Sequence, residues 1–122
     1  MSEVFRTVSF LYDGREVTLT PSIALLRRLK AAGINNMLLA TQCVKGGADA
    51  LDLITVHRAF LQEGGTFISE DESYAWLTGG NVEEIMSFQS AYVSAVLPGV
   101  DLGKKPDAPA PKKAKPKRNS QT

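Results

Sequence analysis

His57 and Cys43 are the side chains best suited to chemistry, and each residue type occurs once in the 122 residues. A histidine titrates near neutral pH and serves as a general base or a metal ligand. A cysteine beside it becomes a nucleophile only where the two touch and the surroundings are electropositive. The sequence near His57 supplies no carboxylate or second histidine at ligand spacing. Ile54 and Leu61 stand at i−3 and i+4, which places His57 beside an apolar helix stripe. The expected role of His57 is packing, and that of Cys43 is a small buried hydrophobe.

The acidic runs have an equally plain reading. Glu70-Asp71-Glu72 and Glu83-Glu84 fall where helices begin, and carboxylates there complement the positive end of the helix dipole. They lack the alternating ligands and central glycine of a calcium loop. The glycine pairs at 46–47, 64–65 and 79–80 each follow a helical segment and read as helix stops, without phosphate-loop spacing. No catalytic residue, cofactor or metal ligand is expected, and the chain reads as a non-enzyme. Arg27, Arg28 and Lys30 remain as a basic group on one helix: a solvated face, or a partner-binding surface.

These side chains must be carried by elements, and the elements are legible. Val8, Phe10 and Tyr12 alternate with Thr7 and Ser9, and the alternation resumes at Val17 and Leu19. Asp13-Gly14 between the runs suits a type I′ hairpin turn, because both central residues take positive φ. Thr20-Pro21 then reads as an N-cap followed by proline in the first helical position. Ile23, Leu26, Leu29 and Lys30 follow at helical spacing, with Leu25 widening the face, and Gly33 marks the end. A hairpin is marginal alone, so the expectation is that hairpin and first helix cover each other.

Further on, Asn36–Lys45 reads as a second helix. A third, begun by Asp49, reaches about Glu63 with Ala50, Leu53, Ile54, Phe60 and Leu61 apolar. Ser69 with Glu72, and Asn81 with Glu84, are capping-box signatures for helices over 70–77 and 82–97. Trp76 and Phe88 are expected core anchors. The fold class expected is α+β, mainly α: an N-terminal β-hairpin packed on about five helices.

Charge divides the chain. Residues 1–102 hold 7 Lys+Arg against 12 Asp+Glu, net −5; residues 103–122 hold 7 against 1, net +6. The second segment, GKKPDAPAPKKAKPKRNSQT, has no apolar residue larger than alanine. Such a composition cannot bury enough surface to offset chain entropy, so the expected organisation is a globular domain over 1–102 and a disordered basic tail over 103–122. The tail resembles arms that hold nucleic acid through phosphates, but it has no aromatic residue to stack on bases. A small nucleic-acid-binding protein is therefore the alternative reading; a solubilising linker or an arm for an acidic protein fits the tail as well. No apolar run approaches the ~20 residues needed to cross a bilayer; MSEVFRTVSF has no basic stretch followed by an apolar one, so no secretion signal is expected, and one cysteine suits a reducing compartment.

YDGREVTLTPSIALLRRLKAAG, followed by DLITVHRAFLQEGG and SEDESYAWL, resembles the small tail assembly chaperones of long-tailed bacteriophages and gene-transfer agents, over roughly Val8 to Leu97. The resemblance implies a non-enzymatic protein of the host cytoplasm. It would coat the tape measure protein during tail morphogenesis and be absent from the mature virion. Contacts with further copies of itself and with the tail tube protein would follow. Members often occur also as a longer product of programmed ribosomal frameshifting, and Gly103-Lys104-Lys105 suits a slippery purine run. Client contact is expected near the hairpin and first helix, at Arg27, Arg28 and Lys30 and at a free sheet edge.

Overall fold

The structure, a computed structural model, describes residues 5–99. The basic tail expected over 103–122 lies outside the described residues. The elements are β1 (Val8–Tyr12), β2 (Arg15–Leu19), α1 (Ile23–Ala31), α2 (Asn36–Lys45), α3 (Ala50–Glu63), α4 (Glu70–Gly79) and α5 (Val82–Val96). This is an α+β fold, mainly α, with the hairpin at its N-terminal end.

The hairpin pairs Val8 with Leu19, Phe10 with Val17 and Tyr12 with Arg15. Asp13 and Gly14 have φ of 52° and 81°. Aspartate tolerates that left-handed conformation and glycine adopts it freely, so the Asp-Gly pair sets the register. Phe10, Val17 and Leu19 are buried on one face. The other face carries polar residues and an exposed Leu11: Ser9 bonds Thr18 at 3.0 Å, and Thr7 bonds Thr20 at 2.8 Å.

α1 begins two residues later than Thr20-Pro21 predicts. Ser22 is the N-cap, its hydroxyl accepting from the Leu25 N–H at 3.1 Å. Leu25 and Leu29 are buried four residues apart, while Ile23 is 52% exposed. At the other end Gly33 (φ 99°) lets the chain reverse: its N–H bonds Lys30 O, and the Ile34 N–H bonds Leu29 O. Ile34 and Leu29 are both buried, the apolar pair that accompanies this helix stop. The Gly79-Gly80 stop differs. Gly79 is the last residue of α4, and Gly80 is extended rather than left-handed.

Hairpin and α1 do not chiefly cover each other. β1 lies along α5, β2 touches α3, and α1 packs on α3 and α2. Three residues separate Leu19 from Ile23, and the apolar face of α1 is taken by α3 and α2. The last helix supports the first strand instead. Phe10, Phe60, Phe88 and Tyr92 form the centre of the core, each at 2% exposure or less, in tilted and edge-on ring pairs with centroids 5.3–6.4 Å apart. α3 contributes Val56 and Ala59 to this core besides the apolar positions expected of it. Among the described residues no helix is long and apolar enough to cross a membrane.

Candidate functional site

His57 projects from the middle of α3 into the ring cluster and is fully buried. Its imidazole stacks on the Trp76 indole, with centroids 4.4 Å apart and planes 10° from parallel. Phe88 meets it edge-on at 4.9 Å and Tyr12 lies at 5.4 Å. Nδ1 shares a 2.8 Å hydrogen bond with the buried Ser73 hydroxyl of α4, and Nε2 has no hydrogen-bond partner among the described residues. Burial lowers its pKa to about 4, because an apolar surround penalises the charged ring. His57 is thus a neutral packing residue joining α3 to α4 through one buried bond.

Cys43 lies elsewhere, half-buried between α2 and α5 with Val44, Met86, Gln89, Ser90 and Val93. Burial pushes its thiol up to about 11, away from the reactive thiolate. No bond joins it to His57. Tyr92 closes the same interface from within. Its hydroxyl donates to Asn36 Oδ1 at 2.9 Å, and burial raises the phenol's pKa. Among the described residues no group of three or more His, Cys, Asp or Glu could hold a metal ion.

The acidic residues cap helices, with one departure. Ser69 and Glu72 form the full capping box, with bonds of 3.1 and 2.9 Å. Asn81 accepts from the Glu84 N–H at 3.1 Å, but the Glu84 carboxylate does not return to Asn81. It reaches the hairpin turn instead. Oε1 accepts from the Asp13 N–H at 3.0 Å and Oε2 from the Gly14 N–H at 2.9 Å. The Trp76 indole N–H reaches Oε1 at 3.4 Å. Successive amides of a tight turn form an anion-binding concavity, and the protein fills it with its own carboxylate. One turn on, the Ser87 hydroxyl accepts from the Leu11 N–H at 3.0 Å and donates to Glu84 O at 2.7 Å. These contacts hold the outer edge of β1 against α5, so that edge is not free; the unpaired edge of the sheet belongs to β2, at Glu16 and Thr18.

Replacing Glu84 by alanine should cost about 1–2 kcal/mol, since two charge-assisted bonds to turn amides are lost while water can reach the exposed turn. Glu84→Gln, which keeps an acceptor, should cost less. Thermal melts of the two variants check the order; equal melting temperatures for both and for the parent chain would mean the clamp contributes nothing.

Arg27, Arg28 and Lys30 are all exposed on α1. Arg28 is engaged with Glu63 of α3 at 3.4 Å, both side chains being open to solvent. Lys30 borders a shallow recess with Gly33, Ile34, Asn35 and Asn36. Arg28 and Lys30 point about 160° apart around the axis at 3.6 residues per turn, whereas Arg27, three positions before Lys30, shares its face. Sequence reasoning missed a different surface. From Ile34 to Val44 and from Ile85 to Leu97 no Asp, Glu, Lys or Arg occurs, and these stretches make up most of the adjoining helices α2 and α5. Met37, Leu38, Val44 and Met86 stand exposed there. No family model, curated protein or solved structure matches the chain.

Proposed function

We propose that the chain is a tail assembly chaperone of a long-tailed phage or gene-transfer agent, which binds the tape measure protein and keeps it soluble until the tail tube polymerises. The observation that carries the reading is an apolar surface on a charged body. Large side chains from several elements are exposed, among them Met37, Leu38, Val44, Leu51, Phe67, Val82 and Met86. Of these, Val44 and Met86 adjoin across one groove between α2 and α5, and contiguous exposed apolar surface is what marks an interaction site. A long helical client rich in apolar stripes would aggregate alone; covering those stripes removes surface from water at about 25 cal/mol per Å². Many weakly bound copies along one client hold it by avidity, yet release one at a time as a tube advances. The roles of host cytoplasm, further copies and tube protein as setting and partners belong to this proposal. So does client binding by Arg27, Arg28 and Lys30, with the basic tail unassigned.

Co-expression with the tape measure protein encoded beside this chain tests the reading. Soluble recovery of the client should depend on the chain, and the two should co-purify. A client equally soluble without it, or no co-purification of either the short or a frameshifted longer form, would end the assignment. Arg27→Glu and Arg28→Glu then test the α1 face. Arg28→Glu also sets two carboxylates against each other at Glu63, so only an effect shared by Arg27→Glu counts for client contact.

A further inference from the structure

α2 and α5 run antiparallel. Asn36 at the start of α2 meets Tyr92 late in α5, and Val44 at the end of α2 faces Met86 early in α5. Between them lies an open groove of about 210 Å³, lined by Cys43, Val44, Met86, Gln89, Ser90 and Val93. No charged side chain lines it, although α2 ends in Lys45 and α5 carries Glu83 and Glu84 in its first turn. Val44 is 53% and Met86 63% exposed, and Met37 continues the α2 rim two turns before Val44. We infer that this groove receives an amphipathic helix of the client, packed as a third helix beside α2 and α5, with a contacting stripe that is apolar and uncharged.

Charge, backbone and size each select that occupant. A charged stripe would be desolvated against Cys43, Val44, Met86 and Val93 with no ion to pair it. The backbone amides of α2 and α5 are engaged within their helices, so an extended strand would find no ladder here and its own amides would go unpaired; a helix brings its amides already bonded. α2 has 10 residues, so the groove is about 15 Å long. With helix axes about 10 Å apart, its footprint is on the order of 150 Å², well short of the ~800 Å² per partner that a stable dimer needs. A second copy is not held by so small a face, whereas a helix of about three turns fits it. The groove stands on its own geometry; only the naming of its occupant as the client rests on the chaperone reading. Alkyl and thioether side chains, Met above all, adapt to varied apolar stripes, as a client read at many points along its length demands.

Cys43 is the chain's only cysteine and lines the groove, so its alkylation by N-ethylmaleimide reports occupancy. The probe is a synthetic amphipathic helix of about 18 residues with leucine at i, i+3, i+4 and i+7, compared with a peptide of the same composition in scrambled order. The helical peptide should slow alkylation of the full chain by about tenfold or more, a shift of roughly 1.4 kcal/mol; the scrambled peptide should not. Val44→Glu and Met86→Glu, both on exposed rims, should abolish protection while leaving the thermal melt in place, and Val44→Ser serves if either melts early. Absence of protection overturns the inference, and so does protection that survives both charged variants. Peptide-free alkylation that slows as the chain is concentrated gives the groove to a second copy, which also overturns it. The client test separates the two levels. A tape measure protein that co-purifies undiminished with Val44→Glu and Met86→Glu sinks this face and leaves the chaperone reading; a peptide that docks while the client needs no chaperone does the reverse.

Discussion

Phe88→Ala is expected to destabilise the domain by about 3–5 kcal/mol, the range for truncating a buried aromatic. Phe88 is fully buried on α5 and touches a ring from almost every layer. Phe10 of β1 lies 5.3 Å away, His57 and Phe60 of α3 at 4.9 and 6.0 Å, and Trp76 of α4 at 6.3 Å. Truncation therefore opens a void that four elements border, and none can close it without dragging its own ring from the others. A domain of this size shifts by about 4–8 °C in melting temperature per kcal/mol. The variant should melt more than ten degrees below the parent, or fail to fold. Phe88→Leu, which fills most of the space, should recover much of the loss. A melt within a few degrees of the parent for Phe88→Ala would show that the ring cluster is not the centre of the core.

The second large effect is acid sensitivity centred on His57. An ordinary histidine titrates near 6.5, which is the value in the unfolded chain, while burial lowers the folded value to about 4. The unfolded chain therefore binds the extra proton between those limits, and stability falls as pH falls through this window. At one pKa unit per 1.36 kcal/mol, the loss approaches about 3 kcal/mol by pH 4 and is about 2 kcal/mol by pH 5. Below about 4 both states are protonated and this contribution to the slope disappears. Above about 6.5 neither is, and the stability is fully present. Denaturant melts between pH 7 and 5 read the slope before the carboxylates titrate. His57→Gln should flatten it, whatever its own offset in stability. An unchanged slope in that variant would place the acid sensitivity elsewhere. The same experiment weighs the bond to Ser73, because glutamine can keep a bond to that hydroxyl while lacking the ring that stacks on Trp76.

The parts of this fold that were legible in the sequence are those decided within a few residues. Asp13-Gly14 needs only two positive φ values. Ser69 and Glu72 need only one turn of helix, and Gly33 only a local reversal. Asn81 and Glu84 show where that reasoning stops. The pattern is the same capping pair, yet the Glu84 carboxylate is taken by turn amides about 70 residues earlier in the chain. The geometry at Asn81 is local; the competition for Glu84 is not. α1 fails in a similar way. The sequence reads Thr20-Pro21 as the start, whereas Ser22 is the residue that caps the helix, with Leu25 and Leu29 buried beyond it. For the candidate site, the exposure of Arg27, Arg28 and Lys30 follows from their chemistry. That Arg28 is occupied by Glu63 depends on how α1 crosses α3. The uncharged stretches at 34–44 and 85–97 were visible as composition. Their meeting as two walls of one groove needed the packing of helices some 50 residues apart.

The pairing of β1 with α5 also dictates an order of folding. Of the described elements the hairpin comes first in the chain and α5, which carries most of its support, comes last. Until α5 docks, Phe10 has no Phe88 to rest on, and the amides of Asp13 and Gly14 have no carboxylate. Closing a loop of about 70 residues costs only slightly more entropy than closing a short one, but it must precede the contacts that reward it. A fragment ending at Leu77 lacks both Phe88 and the Glu84 carboxylate, and should be an unfolded chain rather than a smaller domain.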